Sequence, residues 1–173
     1  MSEKTRIQPL VNRSLSFQLK GLFYKKIADS GHGGAQGRQP FDGFGIWQGM
    51  PFYFEYKYCK MKARTRGVNI YDKFGNGNQY HQIKNLLLCQ KNQGVALVLI
   101  ELHYNRKPEY YAIAPEVCND MYNTKKQIKL ADFHEKAHRI NMIHKEYTNE
   151  WLLDIKSTIK HFYPNLIFAK NGL

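Results

Sequence analysis

The chain has 173 residues, of which 43% are hydrophobic and 14% aromatic, and this is enough for one domain with its own core. No apolar run reaches the roughly 18 residues of a membrane span, and the first residues lack the apolar stretch of a signal peptide. The three cysteines show no C-x-x-C spacing, so neither a zinc site nor a disulfide framework is indicated. The net charge of +12 favours a polyanionic partner, nucleic acid before membrane. These features predict an intracellular protein with reduced thiols.

The N-terminal part is predicted to contain a flexible start, over about residues 1–10, and then a helix. Ser14 is a suitable N-cap for this helix. Apolar side chains follow it at helical spacing: Leu15, Leu19, Leu22, Phe23 and Ile27. The glycine-rich stretch from Ser30 to Gln39 is predicted to be a loop, and its Arg38 is a candidate contact for DNA phosphates.

A β-hairpin is predicted next. Its first strand runs from about Asp42 to Trp47, Gln48-Gly49 forms the turn, and the second strand runs from about Pro51 to Cys59. Because side chains alternate along a strand, Glu55 and Lys57 project from one face, and the turn returns Asp42 alongside them.

Two carboxylates and an ammonium group therefore converge at a strand edge. Carboxylate oxygens are suitable ligands for Mg²⁺ or Mn²⁺, so Asp42 and Glu55 are the predicted metal ligands. Such a metal activates water and polarises a phosphoryl group, and Lys57 can orient that water or stabilise developing charge. The competing interpretation is a surface hairpin with a solvated Glu-Lys pair.

A basic segment leaves the second strand directly, with aromatic residues between its charges. Basic side chains neutralise DNA phosphates and aromatic rings stack on exposed bases, although an ordinary solvated connector has a similar composition. The predicted DNA contacts in this segment are Lys60, Lys62, Arg64, Arg66 and Lys73.

The middle of the chain predicts a strand–helix–strand crossover with parallel pairing. A helix from about Gln79 to Asn92 precedes a continuously apolar strand from Val95 to Leu102, and a further strand spans Glu109 to Ala114. A short helix is predicted from Pro115 to about Tyr122, and a final helix from Asn149 to Phe162, with a diffuse basic region between them.

The pattern Pro40-x-Asp42 followed by Glu55-x-Lys57 resembles the PD-(D/E)xK nuclease superfamily. With the later His81-Gln82 helix and the Gln93 to Leu102 strand, the order of elements is similar to that of the RecU Holliday-junction resolvases, over about Arg13 to Glu116. The resemblance implies an α/β fold with a restriction-endonuclease-like core, a mixed four-stranded sheet flanked by helices, in a single nuclease domain over residues 1–173.

The resemblance also implies further site residues. The Tyr56 backbone carbonyl would be a metal ligand, and Gln82 would lie near the metal and the attacking water. The first helix of the family supplies an acidic residue to the metal site, and the position similar to it here is Gln18, an uncharged residue. Gln18 is therefore a weak candidate ligand, and one metal or two remains open.

The expected function is that of a Mg²⁺- or Mn²⁺-dependent, structure-specific DNA endonuclease. The resemblance implies a Holliday-junction resolvase of DNA recombination and repair, acting as a homodimer on branched DNA. The chain has no room for the stalk with which RecU proteins engage the junction centre, because only about a dozen residues join the predicted first helix to the Asp42 strand. The expected location is the cytoplasm of a bacterial cell, or of a host cell if a phage encodes the protein. The alternatives are a general end-processing or restriction-type nuclease, and a catalytically silent DNA-binding module.

Overall fold

The computed structural model describes most of the chain, namely residues 7–27, 41–61, 67–69, 80–104, 108–125 and 127–166. Within these residues, no helix is long and apolar enough to cross a membrane.

A six-stranded mixed sheet is the centre of the fold. The strands of the chain are β1 Phe23–Lys26, β2 Gly43–Trp47, β3 Met50–Lys60, β4 Gly67–Asn69, β5 Val95–His103, β6 Pro108–Ile113, β7 Gln127–Lys129, β8 His138–Arg139, β9 Met142–Lys145 and β10 Glu150–Leu153. The large sheet has the order β1-β2-β3-β5-β6-β8, while β4 pairs with β7 and β9 pairs with β10. The helices are α1 Ile7–Gln18, α2 Tyr80–Lys91, α3 Pro115–Thr124, α4 Leu130–Lys136 and α5 Ile155–Phe162, and a 3₁₀ turn spans Glu146–Thr148.

The predicted hairpin forms as β2 and β3. Gln48 and Gly49 both have positive φ, 50° and 77°, as the tight turn between two twisted strands requires. Gly43, the first residue of β2, pairs with Phe54, so β2 runs beside only the first half of β3. The second half of β3, which carries Glu55 and Lys57, therefore extends beyond β2, and no strand of the described residues pairs with it on that side. This side is called the open edge of β3.

The predicted crossover is confirmed. Strand β3 continues through α2 to β5, which pairs with β3 in parallel from Phe52–Val95 to Lys60–His103. Strand β5 is buried along nearly its whole length, because helices cover both faces of the sheet. Strands β3 and β5 are thus the two central strands of the sheet.

Two hydrophobic cores lie on the two faces of the sheet. On one face, α2, α3 and α4 cover the β3 side chains that include Cys59. On the other, α1 and α5 cover Phe52, Phe54 and Tyr56. The alternation read from β3 is thus correct, but both of its faces are buried along the middle of the strand, and Glu55 and Lys57 lie within the protein rather than on its surface.

The structure corrects the prediction for the N-terminal part. Helix α1 begins at Ile7 rather than at Ser14, whose hydroxyl group lies mid-helix and donates to the Leu10 carbonyl at 2.7 Å. The helix ends at Gln18, and Phe23 belongs to edge strand β1. Together with β8 at the other edge, β1 raises the predicted four strands to six.

The prediction for the final helix is also wrong in its first half. Residues from Glu150 to Leu153 form β10, and α5 begins only at Ile155, with the Asp154 carboxylate accepting from the Ser157 N–H at 3.1 Å. The Trp151 ring packs at a tilt against His144 across the β9–β10 hairpin, with centroids 4.8 Å apart, and Trp151 is 57% exposed. Apolar residues at the start of this segment mimic a helical stripe, although only Leu152 and Leu153 of the strand are buried.

Candidate active site

Asp42 lies where the chain enters β2, beside the open edge of β3. Its backbone N–H donates to the Phe54 carbonyl at 3.1 Å. Its Oδ2 atom accepts from the Tyr56 N–H at 3.0 Å. The carboxylate thus takes the place of the next β2 residue in the hydrogen-bond ladder, which fixes it against β3.

Glu55 and Lys57 form a buried ion pair on one face of β3. Lys57 Nζ lies 2.6 Å from Glu55 Oε1, and it also donates to Gln82 Oε1 at 3.3 Å. Gln82 comes from the first turn of α2, which packs on the same face. All four predicted residues are nearly inaccessible, from 1% exposed for Asp42 and Glu55 to 8% for Gln82. The structure therefore brings Asp42, Glu55, Lys57 and Gln82 together at one strand edge.

Burial and a like charge act together on Glu55. Removal from water raises its pKa, the Lys57 ammonium lowers it, and the Asp42 carboxylate raises it again, with a result of about 7. Two carboxylates so close to each other need positive charge to remain ionised together, and Lys57 supplies one. A divalent cation would supply the remaining positive charge.

The donor set fits a hard divalent cation. Glu55 Oε2 is buried and has no hydrogen-bond partner within the described residues, so it is an available oxygen ligand. The backbone N–H and C=O of one strand residue leave the strand on the same side. Because the Tyr56 N–H points to Asp42, its carbonyl oxygen also leaves β3 at the edge beyond β2. The described residues contain no group of three or more His, Cys, Asp or Glu side chains that could hold a metal. A metal bound here would therefore need this backbone oxygen as a ligand in addition to the two carboxylates.

Gln18 does not join these residues. Its amide nitrogen donates to the Leu153 carbonyl at 2.5 Å, and its amide oxygen accepts from the Lys156 N–H at 2.8 Å. Ser14 Oγ, one turn earlier, accepts from the Leu153 N–H at 2.9 Å. The end of α1 thus fixes the junction between β10 and α5, and both amide atoms of Gln18 are bonded at this junction.

A second polar group of α1 approaches the candidate site instead. Gln8 is 3% exposed and interacts with the Tyr24 hydroxyl, which is hydrogen-bonded to the Tyr56 hydroxyl. Burial raises the pKa of both phenols, and the charge of Asp42 raises them further, so both remain neutral donors. Sequence reasoning missed these contacts between Gln8, Tyr24 and Tyr56, because α1 was predicted to begin beyond Gln8 and β1 was not recognised.

Of the predicted DNA contacts, the structure describes only Lys60, which is exposed at the end of β3. The others lie outside the described residues: Arg38, Lys62, Arg64, Arg66 and Lys73. Lys60 follows Lys57 by three residues on the same strand, so it lies about 10 Å from the candidate site along β3 and on the other face of the sheet.

The sequence profile of the family described as RecU, Recombination protein U, matches residues 33–161. This stretch contains Asp42, Glu55, Lys57 and Gln82, whereas Gln18 lies outside it. A solved structure with a similar chain is that of Archaeoglobus fulgidus Hjc, a Holliday junction resolvase from an archaeal hyperthermophile. The likeness covers 73% of this chain and 91% of Hjc, with 13% sequence identity and a TM-score of 0.39. No curated protein matches the chain.

Proposed function

We propose that this chain, which belongs to the RecU family, is a Holliday-junction resolvase that cuts branched DNA by metal-dependent phosphodiester hydrolysis. The observation that carries the proposal is the convergence of Asp42, Glu55 and Lys57 at the open edge of β3, within the residues that match the family. A protein that only binds DNA has no use for two buried carboxylates facing each other, because their burial costs stability.

We assign the metal, Mg²⁺ or Mn²⁺, to Asp42, Glu55 and the Tyr56 carbonyl. When bound, it would supply Lewis-acid activation of the phosphoryl group and of water. Asp42 is held for this role by the Tyr56 N–H, and Glu55 by Lys57. Since the pKa of Glu55 is about 7, this carboxylate is about half ionised at neutral pH, and it becomes mostly ionised and ready to bind a cation in mildly alkaline solution.

Lys57 is the proposed catalytic group that orients water and stabilises the charge of the departing oxygen. Its ammonium is directed by two acceptors, Glu55 Oε1 and Gln82 Oε1. Gln82 thus acts as a positioning residue, because it defines where Nζ points when Glu55 turns toward a cation. An ammonium held in this way stabilises developing negative charge without reorganisation.

The proposed enzyme is a homodimer, because a four-way junction needs two symmetric cuts and a two-fold axis provides two sites. The outer edge of the sheet offers an apolar pair for self-association. Phe23 of β1 lies opposite Ile46 of β2, and their side chains are 58% and 43% exposed. Sedimentation of the wild type and of Phe23→Lys at equal concentration would test this, with a dimer expected only for the wild type.

We further expect one nuclease domain and a cytoplasmic location.

Cleavage assays test the proposal directly. Labelled four-way junction, flap, linear duplex and single-stranded DNA are incubated with Mg²⁺ or Mn²⁺ and with the wild type or Asp42→Ala. Paired nicks in the four-way junction that disappear in the variant are the expected result. Equal cutting of every branched or single-stranded form would indicate a general nuclease. Tight binding without any cutting would leave a silent DNA-binding module.

A further inference from the structure

A second polar cluster lies at the end of β5, on the sheet face opposite Glu55 and Lys57. It is centred on His103, whose Nε2 lies 2.5 Å from Glu101 Oε1. Glu101 is only 4% exposed. The Glu101 oxygen at this distance is the acceptor of a hydrogen bond, so Nε2 is the ring nitrogen that carries the hydrogen and donates the bond.

The imidazole of His103 is held on two sides. Glu101 fixes one ring nitrogen, and the Tyr58 ring packs against the imidazole with centroids 4.9 Å apart. The side chain remains 22% exposed. The second nitrogen, Nδ1, has no hydrogen-bond partner in the part of the chain that the structure describes. Nδ1 of the neutral ring is an acceptor, whereas in the protonated, cationic ring Nδ1 also carries a hydrogen and can donate it to an anionic ligand.

Lys60 adds a second positive charge at the same place. It is the register partner of His103 across β3 and β5, and the Met61 N–H donates to the His103 carbonyl at 2.9 Å. Lys60 is exposed, and neighbouring strands lie about 4.8 Å apart, so both cationic groups can reach one anion. Tyr110 also faces Glu101 in register, but burial and the Glu101 charge raise the pKa of its hydroxyl group, so it stays neutral.

We propose that His103 and Lys60 form a phosphate-binding subsite for the DNA backbone beside the cleavage position, with Glu101 and Tyr58 as positioning residues. The subsite rests on the proposed function in one respect: Lys60 lies about 10 Å along β3 from Lys57 and on the other face of the sheet, so DNA bound at the open edge of β3 reaches the subsite round the end of this strand. An imidazolium and an ammonium on adjacent strands give a phosphate two charge-assisted hydrogen bonds. They bind the backbone and carry no base preference.

The salt dependence of DNA binding tests the subsite, because each neutralised phosphate contributes about 0.9 to the slope of log K against log salt. Affinity for a labelled four-way junction is measured at pH 6.0 from about 50 to 200 mM salt, with Asp42→Ala in every protein to prevent cutting. We expect His103→Gln and Lys60→Ala each to reduce the slope by up to about one phosphate contact. His103→Lys, which keeps a charge, should retain the slope, and Glu101→Gln should resemble His103→Gln.

A purely structural role for the pair predicts other results. The subsite is refuted if His103→Gln lowers the melting temperature but leaves the slope unchanged, or if His103→Lys loses as much slope as His103→Gln. If His103→Gln does not fold, Lys60→Ala and His103→Lys decide the question by the same slopes. Cleavage by proteins with intact Asp42 separates the two proposals. Resolution of junctions with unchanged slopes removes the subsite alone, whereas changed slopes without any cutting support the subsite and remove the resolvase.

Discussion

We predict that ionisation of Glu55 lowers the unfolding free energy of the metal-free protein as the pH rises. Comparison with Glu55→Gln isolates this contribution. The pKa of Glu55 is about 7 in the folded chain against 4.5 in the unfolded chain. A carboxyl group with a raised pKa stabilises the fold fully below its unfolded value, and this stabilisation is lost as the pH rises through the folded value. The loss therefore occurs between about pH 4.5 and pH 7.

The size of the effect follows from the same shift. One pKa unit corresponds to about 1.4 kcal/mol, so raising the pH from 5 to 8 should remove roughly 2–3 kcal/mol of wild-type stability through Glu55. Glu55→Gln has no such titration. Its absolute stability also reflects the loss of the partner of Lys57, so the change with pH is the informative quantity.

The measurement is urea denaturation in EDTA at pH 5, 6, 7 and 8 for both proteins. The unfolding free energy of the wild type minus that of Glu55→Gln should decrease by the stated amount across this range. In a Lys57→Met background the decrease should be larger, because Lys57 lowers the pKa of Glu55. A difference that stays flat or grows with pH would refute the reasoning, since Glu55 would then be a well-compensated carboxylate. Mg²⁺ at one hundred times its dissociation constant should restore about 2.7 kcal/mol at pH 8 in the wild type only.

Three further substitutions test separate parts of the structure. Lys57→Ala should lower the single-turnover cleavage rate about 10²–10⁴-fold, with junction affinity nearly unchanged, because the ammonium acts on the reacting groups; a rate within threefold of the wild type would exclude this role. Gln18→Ala should cost about 1–2 kcal/mol in denaturant titrations without altering the Mg²⁺ concentration needed for cleavage, since Gln18 bonds β10 and α5; a raised metal requirement would return Gln18 to the site. Gly43→Ala should cost about 1–3 kcal/mol in thermal melts, because its Cβ would lie 2.0 Å from the Tyr24 hydroxyl oxygen; an unchanged melting temperature would contradict that packing.

Local sequence signals determined the part of the fold that carries the site. Gln48-Gly49 specifies a tight turn whatever surrounds it, and the apolar run from Val95 specifies a buried strand. Turn geometry and the two-residue period of a strand then place Asp42, Glu55 and Lys57 at one edge, and these are constraints of the backbone alone. This is why the candidate catalytic residues could be named without coordinates.

Contacts between distant segments decided what the sequence left open. Trp151 and Leu152 resemble part of a helical stripe, but pairing with β9 makes them a strand. Gln18 matches the position of a ligand by its neighbours, yet Leu153 and Lys156, far along the chain, take both of its amide atoms. The raised pKa of Glu55 likewise depends on burial within the sheet, which a residue's own neighbours in sequence do not set. Secondary structure at turns and buried strands is thus a local property, whereas edge strands, ligand identity and electrostatics depend on which segments meet in three dimensions.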